Sequence, residues 1–129
     1  LLWARSLGGG DYFDPTDLEI TPAGDIAVLL DTDHGETTTV DVDAQCTAAP
    51  PVGGDMHVLA YDLDGTLQWS RHDPWEGGIF DATAGGLAFD GTTGYMAGSF
   101  HDATFGLGES GQAHYETEHR DAAVSAFSY

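Results

Sequence analysis

Apolar and polar positions alternate with a period of two between Asp55 and Arg71. Met56, Val58 and Ala60 share one phase, Tyr61 closes the first arm, and Leu67 and Trp69 resume the alternation. The pattern predicts two half-buried strands. Between them Asp62-Leu63-Asp64-Gly65 supplies a turn, because Gly accepts positive φ and Asp hydrogen-bonds its own backbone. His57 is out of phase with Met56 and Val58 and is expected on the other sheet face. The same arms recur at the two ends of the chain: Leu2-Trp3-Ala4-Arg5 has the pattern of the return arm, and Asp121–Phe127 that of the first arm.

Internal similarity extends through the whole sequence. Trp3-Ala4-Arg5 aligns with Trp69-Ser70-Arg71 at an offset of 66, and Phe13-Asp14-Pro15-Thr16 with Phe80-Asp81-Ala82-Thr83 at 67. Leu18–Ile20 aligns with Leu87–Phe89, and Ile26–Val28 with Tyr95–Ala97, both at 69. Asp55–Val58 aligns with Asp121–Val124, again at 66. Two copies of one unit are expected, 1–65 and 66–129. Each would hold a Trp-bearing strand (2–7, 67–71), a Gly- and Asp-rich loop, and two short strands joined by a turn. The strand pairs are Leu18–Thr21 with Ile26–Leu30, and Leu87–Phe89 with Tyr95–Phe100. A variable segment with a short strand (Thr38–Val42, Ala113–Thr117) and a last strand (Met56–Tyr61, Ala122–Phe127) complete each unit. No segment holds a helical period for three turns. The expected fold is all-β: two tandem four-stranded antiparallel sheets. Such sheets bury both faces only by stacking on like sheets, as the blades of a β-propeller do. Ala27, Ala97, Gly98 and Ala126 suit close packing of such sheets.

Charge narrows the partners. The 129 residues carry 22 acidic and three basic side chains, a formal net charge of −19. Such a surface repels phosphate backbones and anionic lipids, which excludes nucleic acid as a partner. No apolar run approaches the ~20 residues of a membrane span, so membrane insertion is not expected. Cys46 stands alone, so no intrachain disulfide forms. The sequence has no initiator Met and no signal segment, and is expected to be a mature or excised piece of something longer.

Several stretches resemble a known family. Trp3-Ala4-Arg5-Ser6-Leu7-Gly8-Gly9, Ala97-Gly98-Ser99-Phe100, Thr104-Phe105-Gly106, and Asp55 followed by Val58-Leu59-Ala60-Tyr61-Asp62-Leu63-Asp64-Gly65 are similar to bacterial cell-surface β-propeller repeats. Tyr61–Gly65 with Trp69 is also similar to quinoprotein-like propeller repeats. Copy one has Leu29-Leu30-Asp31 where the family pattern has G-S-F, and neither copy has the Lys that usually precedes the Tyr. The resemblance implies propeller-type blades in a larger or oligomeric ring and an extracellular or cell-surface location. It carries little chemistry.

Candidate chemistry comes from the acids. Asp31, Asp33 and Glu36 lie in one stretch, with Asp41 and Asp43 beyond it, and Asp62 and Asp64 form a second D-x-D pair. Calcium takes oxygen ligands and this spacing can direct two carboxylates into one turn; the competing reading is that these residues make turns and keep the surface solvated. Trp75 between Asp73 and Glu76 has the make-up of a carbohydrate platform. Trp3 and Trp69, at equivalent places, read as anchors between sheets. The six His are scattered without a zinc pattern. Gly106–Gly111 matches G-x-G-x-x-G by letter, but the polar stretch Gln112–Arg120 after it shows no helical stripe and Glu109 would oppose a pyrophosphate. Ser99, His101 and Asp102 lack a nucleophile elbow. The expected role is non-enzymatic: a structural or adhesive module that assembles with like units and is stabilised by calcium. A carbohydrate-binding propeller, or a fragment of a quinoprotein-like or hydrolytic enzyme, are the alternatives.

Overall fold

A computed structural model of the chain describes residues 3–4, 13–32, 56–73, 83–105 and 113–129. These form seven strands and no helix: β1 (Phe13–Ile20), β2 (Ile26–Thr32), β3 (Met56–Tyr61), β4 (Leu67–Asp73), β5 (Thr83–Asp90), β6 (Thr93–Phe105) and β7 (Ala113–Ser128). They make two antiparallel sheets, ordered β1-β2-β3-β4 and β5-β6-β7. The all-β expectation holds. The second sheet has three strands among the described residues, not the four expected, and residues 3–4 are not in a strand. The β3–β4 hairpin forms as read, but its return arm, expected as the first strand of the second unit, completes the first sheet instead. The strand expected at Thr38–Val42 lies outside the described residues.

The turns follow from their sequences. Asp62 Oδ1 accepts hydrogen bonds from the backbone N–H of Asp64 and Thr66, both at 2.9 Å, and Gly65 takes φ +78°. The ring of Trp3 lies so close to Gly65 that a Cβ there would meet it at 2.7 Å. In the β1–β2 turn, the Thr21 carbonyl accepts from Gly24 N at 2.8 Å, and Gly24 takes φ +93°.

Strand registers run alike in the two sheets. Asp14↔Asp31, Pro15↔Leu30, Asp17↔Leu29 and Leu18↔Val28 in the first sheet match Thr83↔Ser99, Ala84↔Gly98, Gly86↔Ala97 and Leu87↔Met96 in the second. The bulge falls at Thr16 in one sheet and at Gly85 in the other, the same place in the ladder. The offsets are 69 for β1 and β5, 68 for β2 and β6, and 66 for β3 and β7. The alignment of Ile26–Val28 with Tyr95–Ala97 is therefore one residue out. The β5–β6 turn is one residue shorter, so Ala27 corresponds to Tyr95 and Val28 to Met96. A slip of one residue exchanges the two faces of a strand, and here it decides which residues meet the neighbouring sheet. A second difference lies in β7, which runs through both Ala113–Thr117 and Ala122–Phe127. Its pairing with β6 jumps from Phe100↔Asp121 to Asp102↔Glu116, so the segments expected as separate strands form one irregular strand.

The sheets pack face to face. Ala27, Leu29, Met56, Val58 and Ala60 of the first sheet meet Leu87, Met96, Phe100 and Phe127 of the second in one core, flanked by Trp69, Phe89, Ala123 and Tyr129. Burial of such side chains is worth about 1.5–3 kcal/mol each. Leu30, Leu59 and Tyr61 form a smaller cluster on the other face of the first sheet, with Trp3, Val28 and Leu67 against it. His57 is buried and, by alternation, shares that second face, as its phase predicted.

A polar contact fixes the sheets to each other beside the bulge. Asp17 Oδ1 accepts from its neighbour Leu18 N at 2.8 Å, and Oδ2 accepts from Leu87 N on β5 at 2.7 Å. Asp17→Ala leaves the part-buried Leu87 N–H without this acceptor and is expected to cost about 1–3 kcal/mol. Asp17→Asn keeps one acceptor oxygen and should cost less. Urea unfolding of the two variants checks the order.

Candidate functional site

The first candidate is a row of acids across one end of the first sheet. Cα pairings place Asp14 beside Asp31, Asp31 beside Met56, and Met56 beside Asp73. Neighbours in such a ladder lie about 4.5–5.5 Å apart. The corresponding row of the second sheet reads Thr83, Ser99, Ala122, so the acids are not part of what the duplication repeats. Topology thus brings Asp31 and Asp73 to the same end of one sheet, a proximity that their separation in sequence does not show. Asp33, Glu36, Trp75 and Glu76 lie outside the described residues, and with them most of the calcium stretch and the carbohydrate platform. Among the described residues no group of three or more His, Cys, Asp or Glu is placed to hold a metal ion.

Asp62 and Asp64 lie at the opposite end of the same sheet. Asp31 pairs with Met56 and Ile26 with Tyr61, so about 17 Å of strand separates the two groups at ~3.4 Å per residue. They cannot share an ion with Asp31. Both carboxylate oxygens of Asp62 are already acceptors: Oδ1 from Asp64 N and Thr66 N, and Oδ2 from Gln68 Nε2 at 2.8 Å. This is the geometry of a turn-forming aspartate.

The two tryptophans each meet the aromatic residue at the same repeat position, Tyr61 or Phe127. Trp3 stacks beside Tyr61 with ring centroids 6.1 Å apart, and its Nε1 donates to the Leu63 carbonyl at 2.8 Å. Sixty-six residues on, Trp69 lies 6.5 Å from Phe127 and 5.1 Å from Tyr129, the counterparts of Tyr61 and Leu63. Trp69 also meets the edge of Phe89 at 6.2 Å. It belongs to the first sheet and all three partners belong to the second or follow it, so it anchors one sheet to the next as the sequence implied. Arg71, two residues along β4, holds its guanidinium 5.0 Å above the Phe127 ring and donates through Nη1 to the Ser128 carbonyl at 3.5 Å. A cation over an aromatic face adds about 0.5–2 kcal/mol.

The outer face of the second sheet was missed at the level of sequence. By alternation along β5, β6 and β7 its middle carries Ala88, Tyr95, Ala97, Ala122, Val124 and Ala126, with Asp90, Thr93 and Ser128 at one end and Ser99 toward the other. Val124 is 73% exposed and Tyr95 37%. Ala126, assigned above to the packed set, is exposed, whereas Ala27 is fully buried. A solvated face of an antiparallel sheet ordinarily alternates to polar residues; here the polar positions, Asp90 among them, lie toward the ends of the face and the six in its middle carry no charge. The available signal was the uncharged alternation Ala122, Val124, Ala126.

These features define a two-sheet all-β protein in which the second sheet has one strand fewer than the first among the described residues. No family model, curated protein or solved structure matches the chain.

Proposed function

We propose that the chain is a non-enzymatic structural repeat module that assembles with like units, of the kind that builds propeller-type rings or stacks in secreted or surface proteins. One observation carries the reading: the sheet-to-sheet packing is written as a repeat. Bulge, register and tryptophan seat recur from the first unit to the second. A repeat of this kind buries its sheet faces by adding neighbours, and stability grows with each interface formed. The acidic surface opposes this association at low salt and ceases to at high salt, because screening shortens the reach of exposed charges. Calcium, in this reading, binds the stretch Asp31, Asp33 and Glu36 and not the Asp62 turn.

Size-exclusion chromatography with light scattering, at low and high ionic strength, tests the assembly. Discrete oligomers that grow in proportion with salt are expected. A monomer at every salt and protein concentration would overturn the proposal. The same runs with calcium and with chelator test the ion; indistinguishable elution and melting in the two remove calcium from it.

A further inference from the structure

We infer that copies of this chain stack head to tail, the outer face of the second sheet of one copy packing on the outer face of the first sheet of the next. This rests on the assembly reading and deepens it by naming the two surfaces that meet. The contact is face to face and needs no strand exchange.

The exposed apolar side chains carry it. Among the described residues the large hydrophobics left exposed are Leu18, Ile20, Leu63, Tyr95 and Val124. Singly, such residues are ordinary. Here each has a counterpart, in the matching register, that packs in the core between the sheets. Leu18, Ile20 and Leu63 correspond to Leu87, Phe89 and Tyr129, which lie on the second sheet's side of that core. Tyr95 and Val124 correspond to Ala27 and Val58, which lie on the first sheet's side. The exposed residues therefore sort into the two halves of one interface. The chain makes that interface once within itself and presents both halves again on its outer faces.

The strands involved agree with this. Leu18 and Ile20 pair with the half-buried Val28 and Ile26, which makes an apolar strip along β1 and β2. Farther in, Leu59 and Tyr61 are already covered within the chain, so the open part of this face follows β1. Its counterpart β5 is the strand that lies against β1 and β2 of the first sheet, with Leu87 N bonded to Asp17. In the same register, β1 of the incoming copy lies against β5 and β6, where Ala88 and Tyr95 are exposed. Asp90 stays at the rim, since it shares an end row with Thr93 and Ser128. The matching row of the first sheet is Thr21, Asp25 and Asp62, also polar and also outside the core. A polar rim around an apolar centre is the usual make-up of an interface. The two faces differ, so the contact is heterologous and generates rings or filaments rather than a two-fold dimer.

The test mixes variants blocked on opposite faces. Val124→Asp and Leu18→Asp each place a charge on one face, at side chains 73% and 59% exposed, so both monomers should keep a cooperative melt. At high salt, where the parent chain forms oligomers, each variant alone is expected to be a monomer by size exclusion with light scattering. Mixed in equal amounts, they should give a particle of twice the monomer mass and nothing larger. The first variant still offers its Leu18 face and the second its Val124 face, so the mixture holds one intact pair. Ala88→Glu and Ile20→Glu repeat the design at second positions. Ala23→Asp, in the exposed β1–β2 turn, controls for added charge and should leave oligomers intact. Oligomers that persist in either blocked variant alone overturn this geometry but leave assembly standing. Loss of oligomers in Ala23→Asp, or variants that stay monomeric when mixed, does the same. A parent chain that is monomeric throughout overturns both.

Discussion

Trp69→Ala is expected to lower stability by about 3–5 kcal/mol, the range for removing a large aromatic from a packed cluster. Against a total of about 5–15 kcal/mol for a domain, that is a large share of the stability. The size of the effect does not follow from burial, since Trp69 is only half-buried. It follows from where the ring sits. Trp69 extends from β4 of the first sheet and touches Phe89, Phe127 and Tyr129 within 6.5 Å. Removing it opens the seam between the sheets rather than a pocket inside one. Trp3→Ala makes the contrast. That ring has Tyr61 as its aromatic neighbour and an exposed bond to the Leu63 carbonyl, and such a bond contributes about 0.5–1.5 kcal/mol. Trp3→Ala should therefore cost well under half of what Trp69→Ala costs in the monomer. Urea unfolding of the two variants at low salt measures both values. Equal losses would mean that the sheet seam is not where the stability of the chain resides.

The hairpin at Met56–Asp73 and the existence of two copies were legible because both rest on short-range signals: period-two alternation, Asp and Gly in a turn, and a repeated Trp-x-Arg. Register within the copies was less legible. Ile26-Ala27-Val28 and Tyr95-Met96-Ala97 match by apolar character at either of two offsets. Only the turn length decides, with five residues between Ile20 and Ile26 and four between Phe89 and Gly94. Since both faces of these strands carry apolar or small residues, alternation could not correct the slip. The continuity of β7 was hidden, because the polar run Glu118–Asp121 separates the two segments that read as strands, Ala113–Thr117 and Ala122–Phe127. The acid row joins residues from three strands far apart in sequence, so its visibility depended on knowing the topology. The Asp17 bridge had no signal in sequence, because a single aspartate beside a bulge looks like any other acid in a chain that has 22.

Gly94→Ala should destabilise the chain by about 1–3 kcal/mol, and more if Phe127 cannot move. A Cβ built on Gly94 would fall 2.3 Å from Cζ of Phe127 and within 2.8 Å of two further ring atoms. Gly94 and Phe127 are directly paired across β6 and β7, and the ring lies over the glycine as aromatics do over glycines in strands. In the first sheet the corresponding pair is Ile26 and Tyr61, so the strand itself tolerates a large residue at this position. What differs is the neighbourhood of the second aromatic. Phe127 is 4% exposed and held by Trp69, Phe89 and Tyr129 with Arg71 over its face; it has little room to give way. A shorter, flexible side chain at 127 should relieve the clash. Phe127→Leu alone loses ring contacts, yet Gly94→Ala added to it is expected to cost almost nothing further, a coupling of at least ~1 kcal/mol of the kind that touching residues show. Additive losses in this double-mutant cycle would mean that the ring does not cover Gly94, and with it the aromatic seam joining the two sheets would be misplaced.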